Sequence, residues 1–132
     1  MLHLIRRSIS VVFIIQFANY MCNMARTWVV VEYHNEDFSS RAAEKIKKYE
    51  HVYEEGYWRD QWHLDKFPPI LIVTTHRAPA LGYRKDITLR QKGMGVRCNY
   101  LIKPLRTFLD GSQSPLVWLD LDKNRTVNLL NL

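Results

Sequence analysis

The sequence predicts an α/β fold built on a βαβ unit in a mixed or parallel central sheet. Two runs that are apolar on both faces, Thr27 to His34 (TWVVVEYH) and Ile70 to Val73, carry the first part of that expectation. A strand with no polar face belongs inside a sheet covered on both sides, which is the usual setting of parallel strands. Between the two runs lies an eighteen-residue stretch with helical periodicity, Phe38 to Glu55. Parallel strands need a crossover of about that length, and the crossover is right-handed.

Taken in order, the first element is the least readable. Residues 1–25 begin with a basic stub, run through an apolar stretch from Ile9 to Ala18 and end near a small residue, which is the outline of a secretory signal peptide. Asn23-Met24-Ala25 is a poor cleavage site, and the stretch is too short and too interrupted to span a bilayer. Two further readings stand beside export: Ser8 to Phe17 is a buried strand or helix of the domain, or the native start lies elsewhere. Residues 1–25 are therefore set apart as an apolar and basic N-terminal segment, and residues 26–132 are expected to form a single α/β domain.

In the run from Thr27 to His34, period-two geometry places Trp28, Val30, Glu32 and His34 on one face. The cluster His34-Asn35-Glu36-Asp37 ends the strand and offers Asn35 or Asp37 as an N-cap. Phe38, Ala42, Ile46, Tyr49 and Tyr53 then form the stripe of an amphipathic helix, with Gly56 as terminator. Arg41, Lys45 and Lys48 share another face of that helix, either solvated or turned to phosphate. An aromatic loop with Tyr57, Trp58 and Trp62 leads to Phe67-Pro68-Pro69 and a second strand ending at Thr74-Thr75; the prolines sit where no ladder donor is missed. Leu81 to Thr107 contains Gly82, Gly93, Gly95 and Pro104, so broken structure with one helix or hairpin is expected there. Pro115 to Leu121 and Thr126 to Leu132 read as late strands.

Length and composition limit the function classes. A chain of 132 residues is too short for several cores. With 47% apolar and 12% aromatic residues it can fill one, which excludes a disordered or low-complexity chain. Two cysteines, Cys22 and Cys98, are too few for a disulfide scaffold or a four-thiolate zinc site. The net charge of +6 is uneven: residues 1–31 carry +3, 32–66 carry −3, 67–109 carry +7 and 110–132 carry −1. The excess in the third segment comes from Arg77, Arg84, Lys85, Arg90, Lys92, Arg97, Lys103 and Arg106, a positive field suited to a polyanion.

Most catalytic signatures are missing. There is no phosphate-cradling GxxxxGK[ST], no GxGxxG after a strand, no HExxH and no GxSxG. What remains is Glu32-x-His34 at a strand end, followed by a helix that turns Lys45 back toward it. A carboxylate and a lysine so placed are how many nucleases hold a divalent ion and position a water. Such a site needs a second acidic ligand, and no Asp or Glu precedes Glu32. Glu36 or Asp37 would have to supply it.

The run WVVVEYHNEDFSSRAAEKIKKYEHVYEEGYW followed by KFPPILIVTTHRAPAL resembles the bacterial replication-relaxation protein family of plasmids, phages and related mobile elements. The ordered set Glu32, Lys45, Tyr49, Gly56, Trp58, Phe67-Pro68 and Val73-Thr74 carries the resemblance over about Thr27 to Leu81, with a weaker echo in PLVWLDLD. It implies a restriction-endonuclease-like α/β core, commonly preceded by a winged-helix DNA-binding region. Two departures matter: His34 stands where the family has Asp, and residues 1–25 replace the winged helix and the early strands of the core. About 107 residues then remain, small for a complete core of that kind and so expected to be truncated or divergent.

The resemblance and the charge pattern together imply a DNA-associated protein without nuclease activity. Glu32, His34 and Lys45 are the candidate catalytic or vestigial residues, with Glu32 as the candidate metal ligand. Arg41, Lys45, Lys48, Arg84, Lys85, Arg90, Lys92 and Arg97 are the candidate phosphate contacts. DNA is the expected partner, with a second copy of the chain or another replication protein as further candidates. No small-molecule ligand and no cofactor is expected, Mg²⁺ being needed only if the site is catalytic as a DNA nuclease. The expected compartment is the cytoplasm, with export or membrane tethering through residues 1–25 as the alternative.

Overall fold

A computed structural model describes residues 2–5, 8–18, 24–35 and 40–131, with side chains described for 29–35 and 41–131. The strands pair in chain order as one mixed sheet. β1 (Leu2–Ile5), β2 (Ser8–Ala18) and β3 (Met24–His34) form an antiparallel meander in which Ser8 faces His34 and Ser10 faces Glu32. Of the three readings of residues 1–25, the one that makes Ser8 to Phe17 a strand matches this arrangement. No helix among the described residues is long and apolar enough to cross a membrane.

From β3 the chain crosses through α1 (Ser40–Glu55) and the short α2 (Trp58–Trp62) to β4 (Ile70–Thr74), which lies parallel to β3 with His34 opposite Thr74. The expected βαβ unit is therefore present. The proposed cap Asp37, the candidate ligand Glu36 and the first stripe residue Phe38 lie outside the described residues. A second crossover, α3 (Arg77–Lys92), leads to β5 (Tyr100–Pro104), parallel to β4. Successive right-handed crossovers that advance in one direction put both helices on one side of a sheet, and α1 packs against α3. After α4 (Leu105–Leu109), the hairpin of β6 (Val117–Asp120) and β7 (Arg125–Asn128) completes the sheet antiparallel, and a 3-10 turn, Leu129–Asn131, follows.

Period-two alternation divides the core into two layers. Val30, Ile70, Ile72, Tyr100 and Ile102 face the helices and meet Ala42, Ile46 and Tyr49 of α1 and Tyr83 and Ile87 of α3. Val29, Leu71, Leu101 and Trp118 point the other way, against Leu129 and Phe108. This is why β3 to β5 read as apolar on both faces.

The connection from α1 to β4 is closed by an aromatic cluster. Phe67 packs edge-on to Trp58 at 5.2 Å between ring centres, with Tyr53 at 5.5 Å and Trp62 at 5.8 Å. Gly56 allows the turn out of α1 because its φ of +77° is a conformation that side chains with a Cβ disfavour.

The third element differs from expectation. Residues 77–92 are one continuous helix despite Pro79 and Gly82. Pro79 lies in the first turn, where backbone N–H groups have no helical acceptor to lose. A glycine inside a helix costs about 1 kcal/mol relative to alanine, less than the burial of Tyr83 and Ile87 returns at about 1.5–3 kcal/mol for a large apolar side chain.

The end of α1 and the start of β5 are joined through Glu50. Its carboxylate accepts the backbone N–H of Arg97 at 2.7 Å and of Cys98 at 3.0 Å, and the Tyr100 hydroxyl at 3.0 Å. Burial alone raises the Glu50 pKa; the hydrogen bonds from Cys98, Arg97 and Tyr100 outweigh it and hold the carboxyl below its ordinary range. The same surroundings push the Tyr100 hydroxyl and the Cys98 thiol strongly upward, first through burial and then through their polar neighbours, Glu50 among them. Cys98 is thus an inert packing residue. A depressed carboxyl stabilises the fold above its unfolded pKa of about 4.3, and that contribution is lost as pH falls through the lower folded value. Glu50→Ala is expected to cost about 1–3 kcal/mol in urea denaturation at pH 7, with the difference from wild type shrinking as the pH is taken below about 4.

Candidate functional site

β3 carries its polar residues on the helix-facing side, as the sequence predicts, and both are fully buried. Glu32 Oε1 pairs with Lys45 Nζ at 2.9 Å, and Glu32 Oε2 accepts a hydrogen bond from the Tyr49 hydroxyl. Lys45 and Tyr49 are four residues apart, so one turn of α1 brings both onto the carboxylate. Lys45 is only 4% exposed, so of the two placements that the sequence offers, a common face with Arg41 and Lys48 or a turn back toward the strand end, it takes the second: it borders the Ala42, Ile46 and Tyr49 stripe and is drawn inward by the glutamate. Beside it, Lys48 is half-buried with its ammonium 5.5 Å from the Tyr49 ring centre. Burial, then the charge of Lys45, lowers the Lys48 pKa against the opposing pull of Glu32.

His34 ties the second helix to the same strand. Its Nδ1 lies 2.8 Å from the Tyr83 hydroxyl, and the two rings meet edge to face. At the strand ends the Thr75 N–H donates to the His34 carbonyl at 3.3 Å, while the Thr75 hydroxyl reaches Asn35 Oδ1 at 3.1 Å and His76 Nδ1 at 2.8 Å. Glu32 and His34 are therefore neighbours that serve different helices.

Among the described residues no second carboxylate stands beside Glu32 to hold a divalent cation, and Glu36 and Asp37 lie outside them. Both carboxylate oxygens are engaged within the protein, and among the described residues no three His, Cys, Asp or Glu side chains are grouped to hold a metal. The strand beside it places Ser10 opposite Glu32. Hard cations of this kind take several oxygen ligands, and no step through a metal is derived from these residues.

The open feature lies just beyond this network, at the C-terminal ends of β4 and β5. There a cleft of about 410 Å³ is lined by Thr74, His76 and Arg77 on one side and Pro104 and Arg106 on the other. A second lobe of about 280 Å³ shares Thr74, Arg77, Ala80 and Pro104 with it and continues between α3 and the sheet. Arg84 borders this lobe, and its floor is aliphatic: Ile102, Leu119 and Leu121. Crevices outside the carboxyl ends of parallel strands are the usual ligand position in open α/β sheets. Among the described residues no carboxylate lines either lobe, and Arg77, Arg84 and Arg106 form no ion pair.

The other candidate phosphate contacts do not converge. Arg90 pairs with Asp86 at 3.0 Å and Arg97 with Glu54 at 3.3 Å. Lys92 and Arg97 sit where α3 ends and β5 begins, the opposite end of the sheet from the cleft. Lys85 is exposed on α3, and Arg41 is half-buried and already engaged. Lys103 is buried on the far face, donating to the Val117 carbonyl at 2.9 Å and to Gln113 at 3.2 Å beneath the Phe108 ring. Withdrawal from water lowers its pKa, with Asp110 opposing. Arg77 is absent from the phosphate contacts that the sequence predicts, while Arg106 closes the basic stretch counted among them. They share nothing local in sequence; the parallel register of β4 and β5 brings them together.

Breaking the buried pair has a measurable signature. Removing one partner leaves a buried charge unmatched, so Glu32→Leu and Lys45→Met are each expected to cost about 3–5 kcal/mol in denaturation measurements. The double variant recovers much of that loss, because an apolar pair of similar volume is often neutral. Comparison of the chain with known protein families, with curated proteins and with solved structures returned no match, so the side chains themselves supply the functional reading.

Proposed function

We propose that this chain is a DNA-associated, replication-relaxation-like protein of a plasmid, phage or other mobile element, acting in the cytoplasm without nuclease activity and holding phosphate through the Arg77, Arg84 and Arg106 cleft. The observation that carries this reading is the convergence on one crevice of three arginines from α3 and α4 that form no ion pair among the described residues. An arginine that forms no ion pair within the protein keeps its planar fork for an external oxyanion, and phosphate matches that geometry in a bidentate contact.

The motif set of the family resemblance supports the same reading. Glu32, Lys45 and Tyr49 come into direct contact. Trp58 and Phe67 build the aromatic cluster that closes the crossover. A restriction-endonuclease-like core is the finer fold we propose, supported by a carboxylate strand followed through one helix by a parallel partner. The engaged state of Glu32 argues against the metal-dependent nuclease alternative.

Two measurements test the proposal. Duplex DNA affinity, followed by fluorescence anisotropy, is expected to fall as salt rises. Arg77→Gln, Arg84→Gln or Arg106→Gln weakens binding and makes the log–log salt slope shallower by about 0.9 for each phosphate that is no longer neutralised. Absence of binding at low salt overturns it. Supercoiled plasmid incubated with Mg²⁺ or Mn²⁺ is expected to stay intact, and nicking that disappears in Glu32→Gln restores the nuclease reading.

A further inference from the structure

We infer that the cleft receives one unpaired nucleotide of a DNA strand, with its phosphate between Arg77 and Arg106 and its base over the aliphatic floor of the second lobe. This rests on the DNA-associated reading above and specifies the form of DNA that the site takes.

Three observations lead there. First, the size: lobes of about 410 and 280 Å³ that share four lining residues form one continuous site, within the range of about 300–1,000 Å³ that holds single small molecules. A duplex meets only the rim of such a cleft; a nucleotide free of its partner strand enters it. Second, the division of chemistry: Arg77 and Arg106 flank the outer lobe, while Ile102, Leu119 and Leu121 floor the inner one. Phosphate alone would use the arginines and leave the inner lobe unfilled. A ligand that fills both lobes has an anionic end and an adjoining flat face with little charge. A nucleotide has both within its own length.

Third, the topology leaves the inner lobe between α3 and β6, with Leu119 part-exposed and Ile102 and Leu121 buried at its base. α1 covers β3 and β4, α3 covers β4 and β5, and no described helix follows on that side of β6. Leu81, half-exposed at 51%, stands at this opening on α3. Among the described residues no carboxylate faces the lobe, so none of them repels a phosphate there. Single strands are held in general by a positive groove that follows the backbone and by surfaces that take the face of a base. Here the arginines supply the positive groove, and the aliphatic side chains Ile102, Leu119 and Leu121 stand where such proteins use aromatic rings.

The test uses the full chain and fluorescein-labelled oligonucleotides in anisotropy titrations. A short oligodeoxythymidylate is expected to bind about tenfold more tightly than a blunt duplex of equal length, and a duplex with an unpaired end is expected to bind like the single strand. Thymidine monophosphate competes; thymidine and inorganic phosphate at the same concentration do not. Ala80→Leu, which fills the space common to both lobes, is expected to bring single-strand affinity down to that of the duplex. Circular dichroism melting checks that this variant is folded. If it is not, Leu81→Gln on the exposed side of the lobe provides the same comparison and is expected to reduce the single-strand preference several-fold. Equal affinity for single strand and duplex, or equal competition by inorganic phosphate, overturns the inference and leaves the DNA reading in place. Absence of binding to any DNA, or stronger competition by an oligoglutamate peptide than by the nucleotide, overturns both.

Discussion

The Glu32 carboxylate is the constraint on which the helix layer depends. It lies between the sheet and α1 with no exposure, and removing a charge from water costs several kcal/mol even after the surroundings relax. Lys45 and Tyr49 offset that cost, and their net contribution to stability is small by the same argument. What they supply is specificity. Only one rotation of α1 presents residues 45 and 49 together. Only one face of β3 can receive them, since a slip of one residue would turn Glu32 into the opposite layer among Val29, Leu71 and Leu101.

Two residues along the same strand face, His34 repeats this logic for α3. Its contact with Tyr83 fixes the helix above Thr74, the residue that His34 faces in the parallel register. Arg77 and Arg84 are seven residues apart on α3, about 10 Å along the axis, on the same side of the helix. Tyr83 lies between them in sequence and holds that turn down. The buried polar network and the basic cleft are therefore one construction: the first sets the position of α3, and the position of α3 decides which arginines overlook the ends of β4 and β5.

Much of this is legible in the sequence, for definite reasons. The strands β3 and β4 are legible because both faces of each are buried, which leaves continuous apolar runs. The first crossover is legible because α1 has one buried stripe. α3 is hidden because its apolar signal is mixed: Pro79, Tyr83 and Ile87 face inward, while Leu81 and Leu89 face water, and Pro79 and Gly82 resemble breaks unless the helix start is known. The direction of Lys45 toward Glu32 follows from helical spacing, but its burial does not, because a residue at the border of a stripe goes inward or outward according to what lies beneath it. The cleft is not legible at all. Its parts come from residues 74 to 121 and meet only through pairing of β4 with β5 and β5 with β6.

The strongly positive segment shows why a charge count along a chain does not describe a surface. Its eight basic side chains have separate fates. Lys103 goes under Phe108, Arg90 and Arg97 are taken by Asp86 and Glu54, and Lys85 and Lys92 face solvent. Arg77, Arg84 and Arg106 remain, and all three border the same cleft. The nearest acid in the chain to Arg106, Asp110, has its pKa lowered by hydrogen bonds from Ser112 before any effect of Arg106. Asp86 is likewise held by Arg90 on its own helix. Among the described residues the acids of this region are engaged locally, Asp110 by Ser112 and Asp86 by Arg90. The coincidence of arginines that form no ion pair among the described residues with an aliphatic base is what distinguishes the cleft from an ordinary solvated face.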